Sequence, residues 1–249
     1  MLTYVEVKKM LRKNDTLIIP VGTIEAHGSH LPLGTDVLIP EYIANKIAEK
    51  LHALVAPPIY YGVTRSLLGF PGSFTISEET LERIIYEIIL SAKRHGFRFF
   101  IVINGHGGNI TAIRNAARKL WLEHEIPIAI VHWWIYASDI TREEFGQSPA
   151  HAGVDETAAV LAINERLVKK ELYDEKEVEL VKNGLEIYPR VGSILIYEPN
   201  SGLPIFDVQK AKMWFNKVIE KISNDLASIK ERILRKNALG ELQHNIAKS

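Results

Sequence analysis

Short apolar runs alternate with longer amphipathic stretches along most of the chain. The run TLIIPVG, Thr16 to Gly22, is almost wholly apolar and reads as a strand buried on both faces. Val37 to Ala53 repeats apolar positions at a spacing near 3.6 and predicts a helix. LVAPPIYYG, Leu54 to Gly62, predicts a second strand. The next stretch carries both ends of a helix: Ser77 stands before acidic Glu78 and Glu79, and Gly96 closes the last turn. FRFFIVIN, Phe97 to Asn104, is the strongest strand signal in the chain. Ile110 to His124 predicts a helix, Ile126 to Trp134 a strand, and Asp155 to Val168 a helix. Residues 169–189 are polar and predict an excursion from the body. A long last helix is predicted from Asp207 to Leu234, with Val208, Ala211, Trp214, Phe215, Val218 and Ile222 as its inward stripe. Strands separated by helices predict an α/β fold: a three-layer α/β/α sandwich with a mostly parallel central sheet. With no repeat or low-complexity segment, residues 1–249 read as a single domain.

Composition removes several function classes. Thirty Lys and Arg balance 30 Asp and Glu, so the basic excess of a nucleic-acid binder is missing. The same balance argues against a polybasic membrane contact. No apolar stretch reaches the roughly 18 residues of a membrane span. The first residues, MLTYVEVKKMLRKND, lack the apolar core of a signal peptide, so the expectation is a cytoplasmic protein. There is no cysteine, which leaves His and carboxylate side chains as the only strong metal ligands.

In parallel α/β sheets, ligands bind beyond the carboxyl ends of the strands. Glu25, His27, His30 and Asp36 follow the first predicted strand; NGHGGN, Asn104 to Asn109, follows the FRFFIVI strand; His132, Trp133 and Trp134 close the next; HAGVDET, His151 to Thr157, lies just beyond. Glu25 and His27, one residue apart, point to the same side of an extended backbone. A carboxylate at Asp36 could bridge two cations. His and carboxylate donors suit Zn, Mn, Fe(II) or Co(II). The plainer alternative is a solvated polar loop, since Glu-x-His and His-x-x-His are common patterns. His106, with Gly105, Gly107 and Gly108 clearing space around it, reads as a ligand. The same glycines could instead cradle an anion, or simply make a tight turn into the next helix. Asp155 is an ordinary acid for a helix start, whereas Glu156 could supply a further carboxylate. His151 is placed for proton transfer. Trp133 and Trp134 form an apolar wall over a substrate or pack in the core, and His132 is equally divided between core and site. His52, His95, His124 and His244 carry no assigned role.

GTIEAHGSHLPLGTD, NGHGGN and HAGVDET, in that order, resemble the creatininase (creatinine amidohydrolase) family. The resemblance implies a three-layer α/β fold, a dinuclear metal centre, and a homo-oligomer that is a hexamer in many members. It implies hydrolysis of C–N bonds in small cyclic amides or formamides. Carried onto this sequence, Glu25 and His106 bind one metal, His27 binds the other, and Asp36 bridges both. In creatininase itself a Glu two residues after the His106 position completes the second site. Here that position is Gly108, and relatives with GHGGN use a later Glu, which is Glu156. The implied cofactors are two divalent ions, Zn, Mn or Fe, whose shared hydroxide attacks the amide carbon. His151 resembles the proton-shuttling His of the family, and Glu156 joins it as a catalytic residue. His30, Asn104 and Asn109 would orient ligands, while Gly107, Gly108, Trp133 and Trp134 would border the substrate. VTRSLLGFPGSFT lacks the acid and His found before the FPG stretch of relatives, so creatinine is not implied as the substrate. Two rival readings stand beside this one: a two-metal phosphoesterase, and a catalytically silent subunit stabilised by metal.

Overall fold

The computed structural model describes residues 2–238. Its elements in chain order are α1 (Tyr4–Leu11), β1 (Thr16–Val21), α2 (Thr35–Leu51), β2 (Leu54–Val55), α3 (Glu78–Arg94), β3 (Phe99–Asn104), α4 (Ile110–His124), β4 (Ile128–His132), α5 (Trp133–Tyr136), α6 (Ser138–Phe145), α7 (Val154–Asn164), β5 (Val178–Leu180), β6 (Ile194–Ile196) and α8 (Val208–Ala238). Four strands form a parallel sheet in the order β2-β1-β3-β4, with Ile18 opposite Ile101 and Ile101 opposite Ala129. Parallel strands need crossovers, and here the crossover helices cover both faces.

β1 and β3 are buried at every position. Alternation sorts their side chains into two cores. Ile18, Phe99, Ile101 and Ile103 pack with Ile39, Ile43 and Ile47 of α2, Ala158 and Ala159 of α7, and the α8 stripe. Leu17, Ile19, Val21, Phe100 and Val102 pack with Leu81, Ile85 and Ile89 of α3 and with Ala112, Ile113 and Leu120 of α4. The fold is therefore the expected three-layer α/β/α sandwich around a parallel sheet. In α8, Ala211, Trp214, Phe215, Val218 and Ile222 are buried as their spacing requires, and Val208 packs beside them. α3 starts at its Ser77 cap, whose hydroxyl accepts from the Thr80 amide at 3.1 Å.

Some elements differ from expectation for local reasons. Only Leu54 and Val55 of the second run join the sheet, because Pro57 and Pro58 cannot donate to the ladder. Ile59 then rejoins its edge beside Val21. The fourth strand ends at His132, and Trp133 already starts a helical turn. α7 ends at Asn164 and continues as a 3₁₀ turn, Glu165–Leu167. The polar excursion is ordered: β5 lies parallel to β6 in a small second sheet. α1 and α6 are additional. α1 rests on a capping box between Thr3 and Glu6. His244 lies outside the described residues. Among those residues no helix is long and apolar enough to cross a membrane.

Candidate metal centre

The carboxyl ends of β1, β3 and β4 face one cavity of about 310 Å³. Gly22, just after β1, and Gly105, just after β3, let the Asp36 backbone come close beside them. A Cβ on Gly22 would stand 2.3 Å from the Asp36 carbonyl oxygen, and one on Gly105 would stand 2.0 Å from it. With no side chain at either position, the first turn of α2 settles against both strands and Asp36 is buried at the junction. Asp36 and Glu156 both lie in the first turns of their helices, α2 and α7, where the helix dipole favours a carboxylate.

Six of the residues singled out in the sequence converge there. His27 Nε2 lies 3.0 Å from Asp36 Oδ1 and 3.5 Å from Glu156 Oε2. His106 Nδ1 lies 2.9 Å from Asp36 Oδ2 and 3.2 Å from Glu25 Oε1. His151 Nδ1 lies 3.6 Å from Glu25 Oε1 and 4.0 Å from Glu156 Oε2. Three donor sets result, each with its atoms within 4.8 Å of one another: Glu25, Asp36 and His106; His27, Asp36 and Glu156; and Glu25, His27 and His151.

Backbone carbonyls fix the imidazole tautomers. His27 Nδ1 donates to the Glu25 carbonyl at 3.0 Å, His106 Nε2 to the Val63 carbonyl at 3.0 Å, and His151 Nε2 to the Ala26 carbonyl at 2.9 Å. A carbonyl oxygen only accepts, so the one proton of each neutral ring is already committed. The nitrogens that face the carboxylates then carry lone pairs, set against acceptor oxygens. Two donors bound at about 2.0–2.2 Å to one tetrahedral ion stand about 3.3–3.6 Å apart. Of the contacts of His27 and His106, the 3.5 Å one to Glu156 falls in that range, and the other three, at 2.9–3.2 Å, are shorter, the spacing of a charged hydrogen bond. Glu25 Oε1 and Asp36 Oδ2 are also buried without a hydrogen-bond donor. The residues present thus fit a cation or an extra proton at each ring.

The titration of the cluster follows from the same crowding. Burial opposes a charge on His27, but Asp36 and Glu156 outweigh it and push the ring up to about 10. Burial likewise opposes charge on His106, and Glu25 and Asp36 raise it well above its ordinary value. Burial works to raise Glu25, yet His106 and His151 hold its carboxyl below the usual range. Asp36 is held low against burial by His27 and His106. Glu156 is instead raised well above its usual value, chiefly by burial, and Asp36 and Asp155 add to the effect. Burial and the charge on His27 push His151 down to about 4.

A surrounding shell holds these groups. The Asn104 side chain accepts from the His106 amide at 3.1 Å and donates to its carbonyl at 2.8 Å. Asn104 also donates to His132 Nδ1 at 3.0 Å, which places His132 behind the cluster. Asn109 donates to the Gly22 carbonyl at 3.0 Å and accepts from the Val63 amide at 2.9 Å. It therefore fixes the residue whose carbonyl orients His106. Asp155 Oδ1 accepts from the Ala150 amide at 3.0 Å and so ties the loop carrying His151 to α7. His30 makes none of these contacts. Its Nε2 pairs with the Thr157 hydroxyl at 3.0 Å, and its ring packs edge-on against Tyr173 and Phe206.

Gly107 and Gly108 line the cavity. A Cβ on Gly108 would stand 2.0 Å from the Val63 carbonyl oxygen, so this backbone admits no carboxylate there. The carboxylate that stands beside His27 along with Asp36 is Glu156, from α7. The paired tryptophans separate: Trp134 lines the cavity, whereas Trp133 is fully buried against Trp214 in the core. Of the two alternatives, wall or packing, Trp134 takes the first position and Trp133 the second, so Trp133 does not border the cavity; the helical turn starting at Trp133 rotates successive side chains by about 100°. Sequence reasoning missed Tyr188, Leu195 and Tyr197, which also line the cavity. The apolar triplet of β6 was the available signal, but it is short and follows a polar stretch.

A family model described as creatinine amidohydrolase matches residues 1–203. Creatinine amidohydrolase of Pseudomonas putida is 31% identical over 186 residues, covering 67% of this chain and 72% of that protein. Mycofactocin precursor peptide peptidase of Mycolicibacterium smegmatis is 36% identical over 154 residues, covering 59% of this chain and 58% of that protein. Solved creatininase superposes with a TM-score of 0.79 at 23% identity, covering 91% of this chain and 95% of that one. Its manganese form superposes with a TM-score of 0.76. At that identity the structural likeness speaks for the fold, while the family match runs through every residue of the His and carboxylate cluster. On these grounds the chain belongs to the creatininase (creatinine amidohydrolase) family of hydrolases.

Proposed function

We propose that this chain is a dinuclear metal-dependent amidohydrolase that cleaves a non-peptide C–N bond in a small cyclic amide or formamide. One observation carries the reading: three imidazoles, each tied through one nitrogen to a backbone carbonyl, turn the other toward buried carboxylate oxygens in three overlapping donor sets, each within 4.8 Å. Asp36 supports a bridging role, since Oδ1 faces His27 and Oδ2 faces His106. Glu25 and His106 would complete one ion's ligands, and His27 and Glu156 the other's. Divalent ions with His and carboxylate ligands, Zn, Mn or Fe, supply carbonyl polarisation and an activated water near neutral pH.

The chain's own residues do the rest. His151 keeps its Nε2 proton on the Ala26 carbonyl, so Nδ1 is the atom that can take up a proton and deliver it to the leaving nitrogen. Asn104 and Asn109 hold the His106 loop so that the ligand set is preorganised. A cavity of about 310 Å³ lies at the small end of ligand pockets and suits a small molecule.

The test pairs elemental analysis with a substrate panel of formamides, cyclic ureides and phosphate esters. About two metals per chain with turnover of amides supports the proposal. Turnover of phosphate esters alone would transfer the site to the phosphoesterase reading, and metal retained without turnover would favour a silent subunit.

A further inference from the structure

The cavity that holds the carboxylates is also lined by three aromatic rings, Trp134, Tyr188 and Tyr197. Tyr188 and Tyr197 are 60% and 56% exposed, and neither belongs to the two apolar cores. Packing therefore does not explain them. Their backbone is nonetheless firmly held. Leu195 and His151 exchange two backbone hydrogen bonds, at 3.0 and 3.1 Å. The Arg190 amide donates to the Ser66 carbonyl at 2.8 Å, and the Gly28 amide donates to the Ser193 carbonyl at 3.0 Å. Residues 188–197 thus span three of the loops around the cluster and carry a ring close to each end. Large rings with free surface, on a fixed support beside a reactive centre, fit a platform for stacking.

Charge narrows what such a platform receives. Arg65 is the one Lys or Arg lining this cavity among the described residues, and its guanidinium is paired with Glu78. Away from the proposed metal ligands, no unpaired Lys or Arg among those residues therefore lines the cavity to receive an anionic group on the ring.

We propose that Tyr188 and Tyr197 are specificity-determining residues that select amides carrying an uncharged planar aromatic or heteroaromatic ring next to the scissile C–N bond. This rests on the amidohydrolase reading and adds the substrate class to it. A flat ring can stack on an aromatic face, whereas a saturated ring of equal size gains only burial. Each stacked partner adds about three- to tenfold in affinity.

The test is calorimetric binding of benzamide and cyclohexanecarboxamide to the zinc-loaded enzyme. The two share an amide and differ in the ring. Benzamide is expected to bind about fivefold tighter or more. The preference should fall by about half on a logarithmic scale in Tyr188→Leu and in Tyr197→Leu. In the double variant it should shrink to within about twofold, while Tyr188→Phe and Tyr197→Phe retain it. Leucine keeps apolar bulk at two exposed positions, and the melting temperature of each variant checks its fold. Equal binding of the two amides, a preference that survives in the double Leu variant, or no binding of either would overturn the proposal. An intact benzamide preference without turnover of any amide would sink the hydrolase reading and leave the aromatic platform standing.

Discussion

Along β3, Phe99, Ile101 and Ile103 face one helical layer and Phe100 and Val102 face the other, all without meaningful exposure. Three residues past Ile103, His106 sits between two acids. The interior of the sheet is satisfied by contact alone, each large apolar side chain contributing about 1.5–3 kcal/mol. The rim is not. Buried Glu25 and Asp36 depend on a proton or a cation at the facing nitrogen of His106, and a buried charge left uncompensated costs several kcal/mol. The difference shows where the molecule can hold a reactive cluster. The two cores fix the strand ends, and only then can acids and imidazoles be held together without rearranging.

If that division is right, changes at the rim and in the interior should separate metal from stability. The largest effect is expected from Asp36→Ala, which removes an oxygen from both ligand sets. Activity should fall at least about 1,000-fold, and metal content by elemental analysis should collapse, with the fold kept by circular dichroism. Ile101→Ala should do the reverse. A cavity in the first core costs about 2–5 kcal/mol in a denaturant melt, while metal per folded chain stays unchanged. If Ile101→Ala strips metal as thoroughly as Asp36→Ala, the two regions are not separable and the comparison fails.

A smaller effect tests which carboxylate serves the His27 side. Glu156→Gln should weaken that ion by about 100-fold or more, read by titration with a metallochromic chelator. Adding Gly108→Glu should not restore it, because the Val63 carbonyl occupies the space a Cβ would need. Rescue by the second change would mean that the loop after β3 can move aside, and that the positions of Gly108 and Glu156 are interchangeable.

How much of this was legible in the sequence varied with the kind of signal. β1 and β3 were legible because a strand buried on both faces is an unbroken apolar run. Glu25, His27, Asp36 and His106 were legible because they follow such runs and strand ends in a parallel sheet share one rim, whereas His151 and Glu156 were legible through the HAGVDET stretch, which two helices separate from β4. The second strand was overestimated because its Pro57–Pro58 pair breaks the ladder without interrupting the apolar pattern. Trp133 and Trp134 could not be told apart, since whether both reach the cavity depends on where β4 turns helical. Tyr188 and Tyr197 were invisible for a different reason. They belong to a strap whose only regular part near the cavity is the three-residue β6, and it is placed by hydrogen bonds to Gly28, Ser66 and His151. None of those pairings leaves a local pattern.

The gentlest way to probe the contrast is to leave every side chain in place and change only what lies between them. A free ion at about 30 times its Kd adds about 2 kcal/mol to the folded state, or about 4–8 °C for a chain of this size. Chelation should remove that increment, and its size should depend on pH. Without metal, His27 and His106 hold protons that the unfolded rings would release near 6.5, since His27 is raised to about 10 and His106 is raised well above its ordinary value. The folded state then binds more protons than the unfolded one. That contribution is fully present below about pH 6.5 and is lost as pH rises toward 10. Metal displaces the same protons, so the loaded protein has no such contribution to lose, and proton competition for the ligands fades as pH rises. The gap in melting temperature between manganese-loaded and chelated protein should therefore widen from pH 6.5 to 9. His30, His132 and His151, each pushed down to about 4 by burial above all, exert their effect below that window and leave the trend alone. A gap that stays constant or narrows would mean that protons and metal do not compete for the nitrogens facing Asp36, and the rim would then be no more dependent on a cation than the interior.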